Sequence, residues 1–293
     1  MREKNLAMFH DTMQIIERGG YEVNGRYVPL KLSREQMMHA IAHIPEDVER
    51  IFMENSAVGM QHAGRCHYAC VNEDSFSLAR RRAEEYARLL AAQEKKEVLV
   101  LNLANPVNPG GGVRKGSTAQ EEDLCRKSSL LLSLEGGEAL PYYAYNRGLK
   151  TFMGTNGIVI TPQVEIIKDS DGNLLDESAV VTVMTCAAPM INYGLEGMTQ
   201  EQYEDMLYKR IERMLACAAH YGYRVLVLGA FGCGAFMNDA KLVSDMFAQA
   251  FRSFNYGGLT ADEAFASVDF GVLCRGDRTY NYEHFSRNFN HFD

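Results

Sequence analysis

The chain has 293 residues, of which 46% are hydrophobic, and this length accommodates one large domain or one domain with a sizeable extension. Its formal net charge of −8 argues against a protein that coats nucleic-acid phosphates, because that mode of binding needs an excess of Lys and Arg on one face. No apolar run of about 18 residues is present, and the N-terminal residues lack the apolar core of a signal peptide. We therefore expect a soluble, cytoplasmic protein in which any polyanionic ligand is bound by a local, shaped site.

The first sixty or so residues show the patterns of a small helical extension. Apolar residues at three- and four-residue intervals predict an amphipathic helix over residues 4–18, which ends at a pair of glycines. An Asn-Gly pair then lies between two short alternating runs and predicts a hairpin. Ser33, followed three residues later by Gln36, is a capping-box pattern that predicts the start of a second helix through MMHAIAHI. We assign residues 1–62 to an N-terminal helical extension with a hairpin.

Seven cysteines at irregular positions do not form the pattern of a disulfide framework. Four potential zinc ligands, His62, Cys66, His67 and Cys70, lie within nine residues of one another. Zinc sites usually combine two ligand pairs from separate segments, and the sequence has no second pair of this kind. We therefore expect this stretch to be a loop that enters a strand, with no metal bound.

From residue 63 onwards, strand and helix patterns alternate. Apolar runs predict strands at 67–71, 98–104, 180–188, 224–230 and 267–274, and helical patterns occupy 77–93, 120–134, 199–220 and a segment after residue 238. Such alternation predicts an α/β fold, here a three-layer domain over residues 63–293 with a mixed sheet and helices on both faces. In these sheets ligands bind beyond the carboxyl ends of the strands. The loops after the strands at 98–104 and 224–230 are therefore the candidate functional segments.

The loop after the strand at 98–104 contains three consecutive glycines, Gly110–Gly112. Glycine has no side chain and adopts positive φ readily, so such a run lets a ligand approach the backbone closely. The run is also costly in conformational entropy, and a purely structural loop rarely needs three glycines together. Its position at a strand end therefore favours a binding function.

The second loop, after the strand at 224–230, has the sequence LGAFGCGAFMND. Its glycines precede a helix that is predicted to begin near Asn238 or Asp239, and successive N–H groups at a helix N-terminus bind anions without basic side chains. This arrangement suits a diphosphate. The loop is neither a Rossmann fingerprint, which needs a glycine in place of Met237, nor a Walker A motif, which ends in Gly-Lys-Ser/Thr. Phe236 fits a stack on a ribose or base and a place in the core about equally well.

Two motifs together carry a specific resemblance. Three glycines, seven intervening residues and then Gln120-Glu121-Glu122 match the GGG-spacer-QEE signature of poly(ADP-ribose) glycohydrolases, and GAFGCGAF is similar to the diphosphate loop of the same family. The similarity covers roughly residues 66–289 and resembles the shorter microbial type. It implies a macrodomain-like fold, ADP-ribose as the recognised unit, and hydrolysis of the ribose–ribose O-glycosidic bonds of poly(ADP-ribose) with release of ADP-ribose.

The resemblance also implies roles for individual residues. Glu122 is expected to be the catalytic acid and base, with Glu121 and Gln120 ordering the ribose hydroxyls. The other substrate contacts that it implies are Asn105 and Asn108 on ribose, Gly110, Gly111 and Gly112 near the distal ribose, the backbone N–H groups of Gly232, Cys233, Gly234 and Ala235 on the diphosphate, and a stack on Phe236. Neither a metal nor a cofactor is implied. The chain departs from the family pattern at Met237, where a glycine is expected, and at 187–190, where AAPM replaces an expected APN.

Glycoside hydrolysis passes through an oxocarbenium-like state and normally uses two carboxylates that flank the bond. Glu121 and Glu122 are neighbours, so their side chains diverge by about 100° if a helix begins at Gln120. One of them is therefore expected to act first as acid and then as base, while the other holds hydroxyls. We expect burial, the adjacent carboxylate and the bound diphosphate to outweigh the helix N-terminus and to raise the pKa of the acid toward neutrality.

Three other functions would use the same features. A non-catalytic reader of ADP-ribose needs both loops but no acid, so the two glutamates disfavour it. A hydrolase that removes mono-ADP-ribose from protein or nucleic acid stays open, as does a nucleotide-binding protein whose N-terminal helices dock a partner. The expected substrate partner is poly(ADP-ribose) or an ADP-ribosylated macromolecule, without sequence-specific binding of nucleic acid and without a membrane.

Overall fold

The computed structural model describes residues 1–57, 61–90, 97–274 and 276–292. In chain order, the helices are α1 (Arg2–Arg18), α2 (Arg34–Met38), α3 (Pro45–Glu54), α4 (Ser75–Leu89), α5 (Gln120–Lys127), α6 (Leu130–Leu134), α7 (Leu140–Leu149), α8 (Gln200–His220), α9 (Ala240–Arg252), α10 (Ala261–Ala264) and α11 (Tyr280–Phe289). The strands are β1 (Gly20–Val23), β2 (Arg26–Pro29), β3 (Ile41–His43), β4 (His67–Val71), β5 (Val98–Leu103), β6 (Ile158–Lys168), β7 (Leu174–Cys186), β8 (Val225–Leu228) and β9 (Ser267–Gly271).

The central sheet is built from strands that are apolar on both faces. On β5, Val98 and Val100 belong to the core cluster formed with α4 to α7, whereas Leu99 and Leu101 belong to the cluster formed with α8, α9 and α11. Within the described residues the strand order is β3-β6-β7-β5-β8-β9-β4. The strands from β7 to β4 run parallel, and β6 is antiparallel to both of its neighbours. This mixed sheet between two helical layers confirms the predicted three-layer α/β fold.

The N-terminal region contains the predicted first helix and hairpin, but its second helix is shorter than predicted. The turn residues Asn24 and Gly25 have φ of 51° and 72°, as a tight hairpin turn requires. Ser33 caps α2 as expected, but α2 ends at Met38, and Ile41–His43 forms β3, an edge strand of the central sheet. The helix prediction over this stretch was wrong because pairing with the buried strand β6 outweighs the local helical pattern.

Helix α1 packs on the part of the chain that carries the glycine run. Asn5 Nδ2 donates to Gly116 O at 3.0 Å, and the Thr12 hydroxyl donates to Arg126 O at 2.5 Å. Together with β3, these contacts join the N-terminal region to the central domain. A division of the chain at residue 62 stays a prediction.

The predicted helix over 120–134 is divided in two. Ser128 adopts extended backbone angles and forms an isolated β-bridge with Ile166, so α5 ends before it and α6 begins after it. Its hydroxyl also donates to Leu124 O and accepts from the Leu130 N–H, which is the local competition that serines offer to helical hydrogen bonds. The prediction of one continuous helix was therefore wrong.

Two further helix predictions have different outcomes. Helix α8 begins after Thr199, whose capping box with Gln202 is present, and this confirms the helix predicted at 199–220. The helix predicted at 77–93 begins two residues earlier, where the Asp74 carboxylate caps it, and ends at Leu89. Its last predicted residues, 91–93, lie outside the described residues. None of the helices in the described ranges is long and apolar enough to cross a membrane, and the cytoplasmic location stays a prediction.

Candidate active site

A cleft of about 580 Å³ lies beyond the carboxyl ends of the parallel strands. Its walls come from the loops after β4, β5, β8 and β9 and from the start of α5, as the topology of an open α/β sheet predicts. The lining residues are Glu73, Asp74, Ser75, Leu103, Asn105, Thr118, Ala119, Gln120, Glu121, Glu122, Asp123, Leu124, Ala188, Ala230, Phe231, Gly232, Gly234, Ala235, Phe236, Gly271, Val272, Leu273, Arg278 and Asn281.

The glycine run packs against the acidic residues of the chain itself. Gly110 and Gly111 have φ of 66° and 56°, in the left-handed region that favours glycine. A Cβ at Gly111 would lie 2.6 Å from Glu122 Oε1 and 3.1 Å from Glu121 Oε2. The absence of side chains therefore brings the backbone onto both carboxylates at once.

Both carboxylate oxygens of Glu121 are bonded to the protein. The Asn105 N–H donates to Oε2 at 2.7 Å, and Asn102 Nδ2 donates to Oε1 at 3.3 Å. Burial raises the pKa of Glu121 to about 8, and the nearby charge of Glu122 acts in the same direction, while the two hydrogen bonds oppose it. Near neutral pH, Glu121 therefore holds a proton that an exposed glutamate would have lost.

Glu122 is buried as well, but only one of its oxygens has a hydrogen-bond partner in the described part of the chain. The Gly112 N–H donates to Oε1 at 2.8 Å. Oε2 has no hydrogen-bond partner among the described residues, although Glu122 lines the cleft. Buried polar atoms are nearly always satisfied, so an unpartnered carboxylate oxygen at a cleft is a position where a ligand can complete the bonding.

Gln120 fastens the start of α5 to the sheet. Its Oε1 accepts from the Leu103 N–H at 2.9 Å, and its Nε2 donates to Leu101 O at 2.8 Å and to the Ser75 hydroxyl at 3.1 Å. These bonds set the direction in which the next two side chains leave the helix. The described contacts of Gln120 are thus with the protein, and a direct bond to a ribose hydroxyl stays a prediction.

The second loop exposes backbone donors to the cleft. Within the described part of the chain, the N–H groups of Gly232, Gly234, Ala235 and Phe236 donate to no other residue, whereas the Cys233 N–H donates to Ala230 O at 3.0 Å. Donors of this kind in consecutive residues form an anion-binding concavity. Cys233 does not line the cleft, and burial raises the pKa of its thiol.

The helix N-terminus behind this loop is already capped. Asp239 Oδ1 accepts from the Leu242 N–H at 2.9 Å, which lowers the pKa of the Asp239 carboxyl. The expected start of the helix near this residue is confirmed, since α9 begins at Ala240. However, the favourable position for an anion at the helix end is taken by Asp239, so the loop donors, rather than the helix terminus, face the cleft.

Asn238 connects the second loop to its surroundings and was missed by the sequence reasoning. Its Oδ1 accepts from the Tyr203 hydroxyl at 2.7 Å, and its Nδ2 donates to Pro189 O at 2.8 Å and to Gly232 O at 3.0 Å. Asn102 was missed in the same way. In both cases the available signal was an asparagine in or next to an apolar strand or loop, where a polar side chain needs a buried partner.

Comparisons with known proteins bear on the family and the fold of the chain. The family model described as "Microbial-type PARG, catalytic domain" matches residues 10–169, which is more than half of the chain. The chain belongs to the microbial-type poly(ADP-ribose) glycohydrolase family. The family match begins well before residue 66, so it includes most of the N-terminal region that the motif resemblance left out.

Solved structures of bacterial glycohydrolases share the fold over nearly the whole chain. A poly(ADP-ribose) glycohydrolase from Thermomonospora curvata, bound to the inhibitor ADP-HPD, is 29% identical with a TM-score of 0.83, over 98% of this chain and 100% of that one. A second structure from the same organism has a TM-score of 0.85 at the same identity and coverage. The Deinococcus radiodurans glycohydrolase in complex with ADP-ribose is 30% identical with a TM-score of 0.72, over 91% of this chain and 98% of that one. No curated protein sequence matches.

The predicted family, fold and enzyme class are therefore confirmed, and the predicted site residues of this glycohydrolase fall into two groups. Those that line the cleft are Asn105, Gln120, Glu121, Glu122, Gly232, Gly234, Ala235 and Phe236. Those that do not line it are Asn108, Gly110, Gly111, Gly112 and Cys233. The side-chain oxygen of Asn105 accepts from the N–H groups of Val107 and Asn108, so it shapes the loop that precedes the glycine run.

The cleft of the glycohydrolase also includes residues that the sequence reasoning did not select. Glu73, Asp74 and Ser75 follow β4, and Arg278 and Asn281 lie at the start of the last helix. The rule that sites form at the carboxyl ends of strands applies to β4 as well, and it could have found the first three.

The potential zinc ligands at 62–70 lie in and before β4. Cys66 and Cys70 are buried, and burial raises the pKa of the Cys70 thiol to about 12. His67 Nε2 lies 3.2 Å from Arg82 Nη2. Across the described ranges, no group of three or more His, Cys, Asp or Glu side chains is placed to hold a metal ion.

Proposed function

We propose that Glu122 is the acid and base with which this glycohydrolase cleaves the ribose–ribose bonds of poly(ADP-ribose). The observation that carries the proposal is the difference between the two glutamates. Both oxygens of Glu121 accept hydrogen bonds from the protein, whereas Oε2 of Glu122, a residue that lines the cleft, has no partner among the residues that the structure describes. A group that transfers a proton to the substrate needs an oxygen within hydrogen-bond reach of it.

The proposed reaction needs no group other than this carboxyl and a water molecule. In its protonated form, Glu122 donates the proton to the ribose oxygen that leaves, while the bond from that oxygen to the anomeric carbon breaks. The resulting carboxylate then accepts a proton from the water that attacks the anomeric carbon, which regenerates the acid. The Gly112 N–H, bonded to Oε1, holds the carboxyl in place for both steps.

Glu121 has a supporting role in this proposal. Its raised pKa keeps it protonated near neutral pH, so it adds no negative charge next to a substrate that already carries a diphosphate. We propose that it orders a ribose hydroxyl from this fixed position. The diphosphate would be bound by the N–H groups of Gly232, Gly234 and Ala235, and Phe236 would stack on the bound nucleotide.

The direct test is to incubate the pure protein with poly(ADP-ribose) and to measure the ADP-ribose that is released. We expect release by the wild-type chain, also in excess chelator, because the proposed chemistry uses no metal. The Glu122→Gln variant is the matched control, since it keeps the shape of the side chain and removes the titratable proton. A protein that binds ADP-ribose but releases none from the polymer would instead be a reader of the modification.

A further inference from the structure

Two aromatic rings lie exposed outside the cleft. Phe152, three residues beyond α7, is 47% exposed, and Tyr193, in the connection from β7 to α8, is 66% exposed. Their ring centroids are 4.6 Å apart, with 33° between the ring planes. Neither residue lines the cleft. Single apolar side chains are common on protein surfaces, but two contacting rings form an apolar face that suits a planar ligand.

This aromatic face, Phe152 and Tyr193, is connected to the cleft by one short segment. The Met190 N–H donates to Phe152 O at 2.9 Å, and the next N–H, that of Ile191, donates to Phe236 O at 3.0 Å. Phe236 in turn lines the cleft. Residues 190–191 therefore link the backbone of the aromatic face to the proposed diphosphate loop.

Local hydrogen bonds hold the aromatic face in place. The Phe152 N–H donates to the Glu196 carboxylate at 2.8 Å, and the Thr151 hydroxyl donates to the same group at 2.5 Å. The Glu196 carboxylate thus ties the connection from β7 to α8 to the segment after α7, and the Phe152 N–H lowers the pKa of Glu196. Because the loop is already ordered by these bonds, a ligand that binds there pays little of the usual ordering entropy.

Two cationic residues, Arg147 and Lys150, shortly precede Phe152 in the sequence. Arg147, in the last turn of α7, donates from Nε to Val107 O at 2.9 Å, which places its guanidinium beside the loop that leads to the glycine run. Lys150 is exposed two residues before Phe152. Proteins bind single strands of nucleotides with exposed rings, on which the bases stack, and with cations, which neutralise the phosphates.

We propose that the aromatic face is a second subsite, which binds the adenosine of the ADP-ribose unit next to the one held in the cleft, with Arg147 and Lys150 near its phosphates. This inference rests on the proposed function, because a polymer substrate presents a second adenosine and free ADP-ribose does not. The subsite adds affinity for the polymer without touching the bond that is cleaved. It therefore favours poly(ADP-ribose) over free ADP-ribose, the product.

The test separates binding from turnover. In the Glu122→Gln background, Phe152→Ser together with Tyr193→Ser should raise the Kd for long poly(ADP-ribose) by about tenfold, as expected for a lost base stack. The Kd for ADP-ribose should stay unchanged. With Glu122 intact, the same two substitutions should raise KM for the polymer by a similar factor. Cleavage of an aryl glycoside of ADP-ribose, which has no second adenosine, should proceed at the wild-type rate.

Two further variants sharpen the test. Tyr27→Ser removes a ring that is 56% exposed on the β1–β2 hairpin and, as the matched control, should change none of these values. Lys150→Asn removes a charge at a position with φ of 51°, which asparagine tolerates, and should weaken the salt dependence of polymer binding.

The outcomes decide separately on the subsite and on the enzyme. An unchanged Kd for the polymer, or a parallel rise in the Kd for ADP-ribose, would overturn the second subsite. If the chain with Glu122 intact cleaves neither substrate, the proposed function fails. The two Kd values in the Glu122→Gln background still decide on the subsite in that case.

Discussion

The two glycine loops follow neighbouring parallel strands, yet they use their backbone donors in different ways. In the first loop, the N–H groups of Asn105 and Gly112 bond to the carboxylates of Glu121 and Glu122. In the second loop, four of the five N–H groups in residues 232–236 donate to no residue in the described ranges, and they belong to residues that line the cleft.

This difference separates the site into a part that positions the acid and a part that is open to the ligand. A glycine-rich sequence after a strand indicates that the backbone closely approaches either a ligand or another part of the protein. The sequence does not distinguish between these two partners. We therefore expect substitutions in the first loop to change turnover and substitutions in the second loop to change affinity.

The largest expected effect is on the acid itself. Glu122→Gln should lower turnover of saturating poly(ADP-ribose) by about 10²–10⁴-fold, the usual contribution of a general acid, while calorimetric affinity for ADP-ribose is kept. Glu121→Gln should lower turnover less than Glu122→Gln does, because a glutamine side chain can still form a hydrogen bond with a ribose hydroxyl. Wild-type turnover by Glu122→Gln, with an inactive Glu121→Gln, would reverse the two roles.

The next largest effect on turnover is expected in a comparison of two glycine substitutions, one in each loop. Gly111→Ala places a Cβ 2.6 Å from Glu122 Oε1 at a residue with φ of 56°, and should lower turnover by about 10²-fold, since small displacements of catalytic groups have effects of this size. A Cβ at Gly234 would have no atom of the described ranges within 4 Å, so Gly234→Ala should retain turnover. Equal losses in the two variants, measured as released ADP-ribose, would contradict the division between the loops.

The buried proton on Glu121 makes stability depend on pH. Its pKa of about 8 in the folded chain exceeds the ordinary value of 4.5, so between these values the folded chain holds a proton that the unfolded chain has released. The contribution of Glu121 to the free energy of unfolding is therefore complete below pH 4.5 and is lost as the pH rises to 8, by at most about 1.4 kcal/mol per pH unit. Glu121→Gln removes this contribution. The free energy of unfolding in urea should fall more between pH 5 and pH 8 for the wild-type chain than for Glu121→Gln. Equal decreases in the two chains would argue against a buried proton.

In the second loop, Phe236 both borders the cleft and packs against the core. Phe236→Ala should weaken binding of ADP-ribose by about 1–2 kcal/mol, the size of a lost aromatic stack. Calorimetry of ADP-ribose binding measures this effect, and the melting temperature is followed in parallel. A lower melting temperature with unchanged affinity would assign the ring to the core alone.

The smallest expected effect is a gain in stability at Met237, where the family resemblance leads one to expect a glycine. Met237 has φ of 64° and is 66% exposed, so its backbone is strained and its side chain contributes little packing. Met237→Gly should raise the free energy of unfolding by about 0.5–1 kcal/mol. Met237→Ala keeps the strained backbone with a Cβ and is the control. A similar gain in both variants would show that the side chain, and not φ, is responsible.

Local patterns in the sequence predicted many of the elements, and they pointed to the loops that form the cleft. The match of the glycine run and Gln120-Glu121-Glu122 to the family signature implied that the loop and the acids belong to one site. Apolar runs predicted the parallel strands, and Ser33 and Thr199 marked helix starts. These features depend on residues close in the chain, whose geometry follows from backbone sterics and capping.

The tertiary structure decided how those elements are joined and which donors remain for a ligand. Strand β3 exists because Ile41–His43 meets β6, and Ser128 interrupts a helix because Ile166 lies beside it. Asn102 reaches Glu121 across 19 residues, and the Ile191 N–H reaches Phe236 O across 45. Hydrogen-bond partners so far apart in the chain are chosen by packing in three dimensions. For that reason, only the folded structure shows that Glu122 has the carboxylate oxygen without a hydrogen-bond partner among the described residues, although the family resemblance had already implied its role.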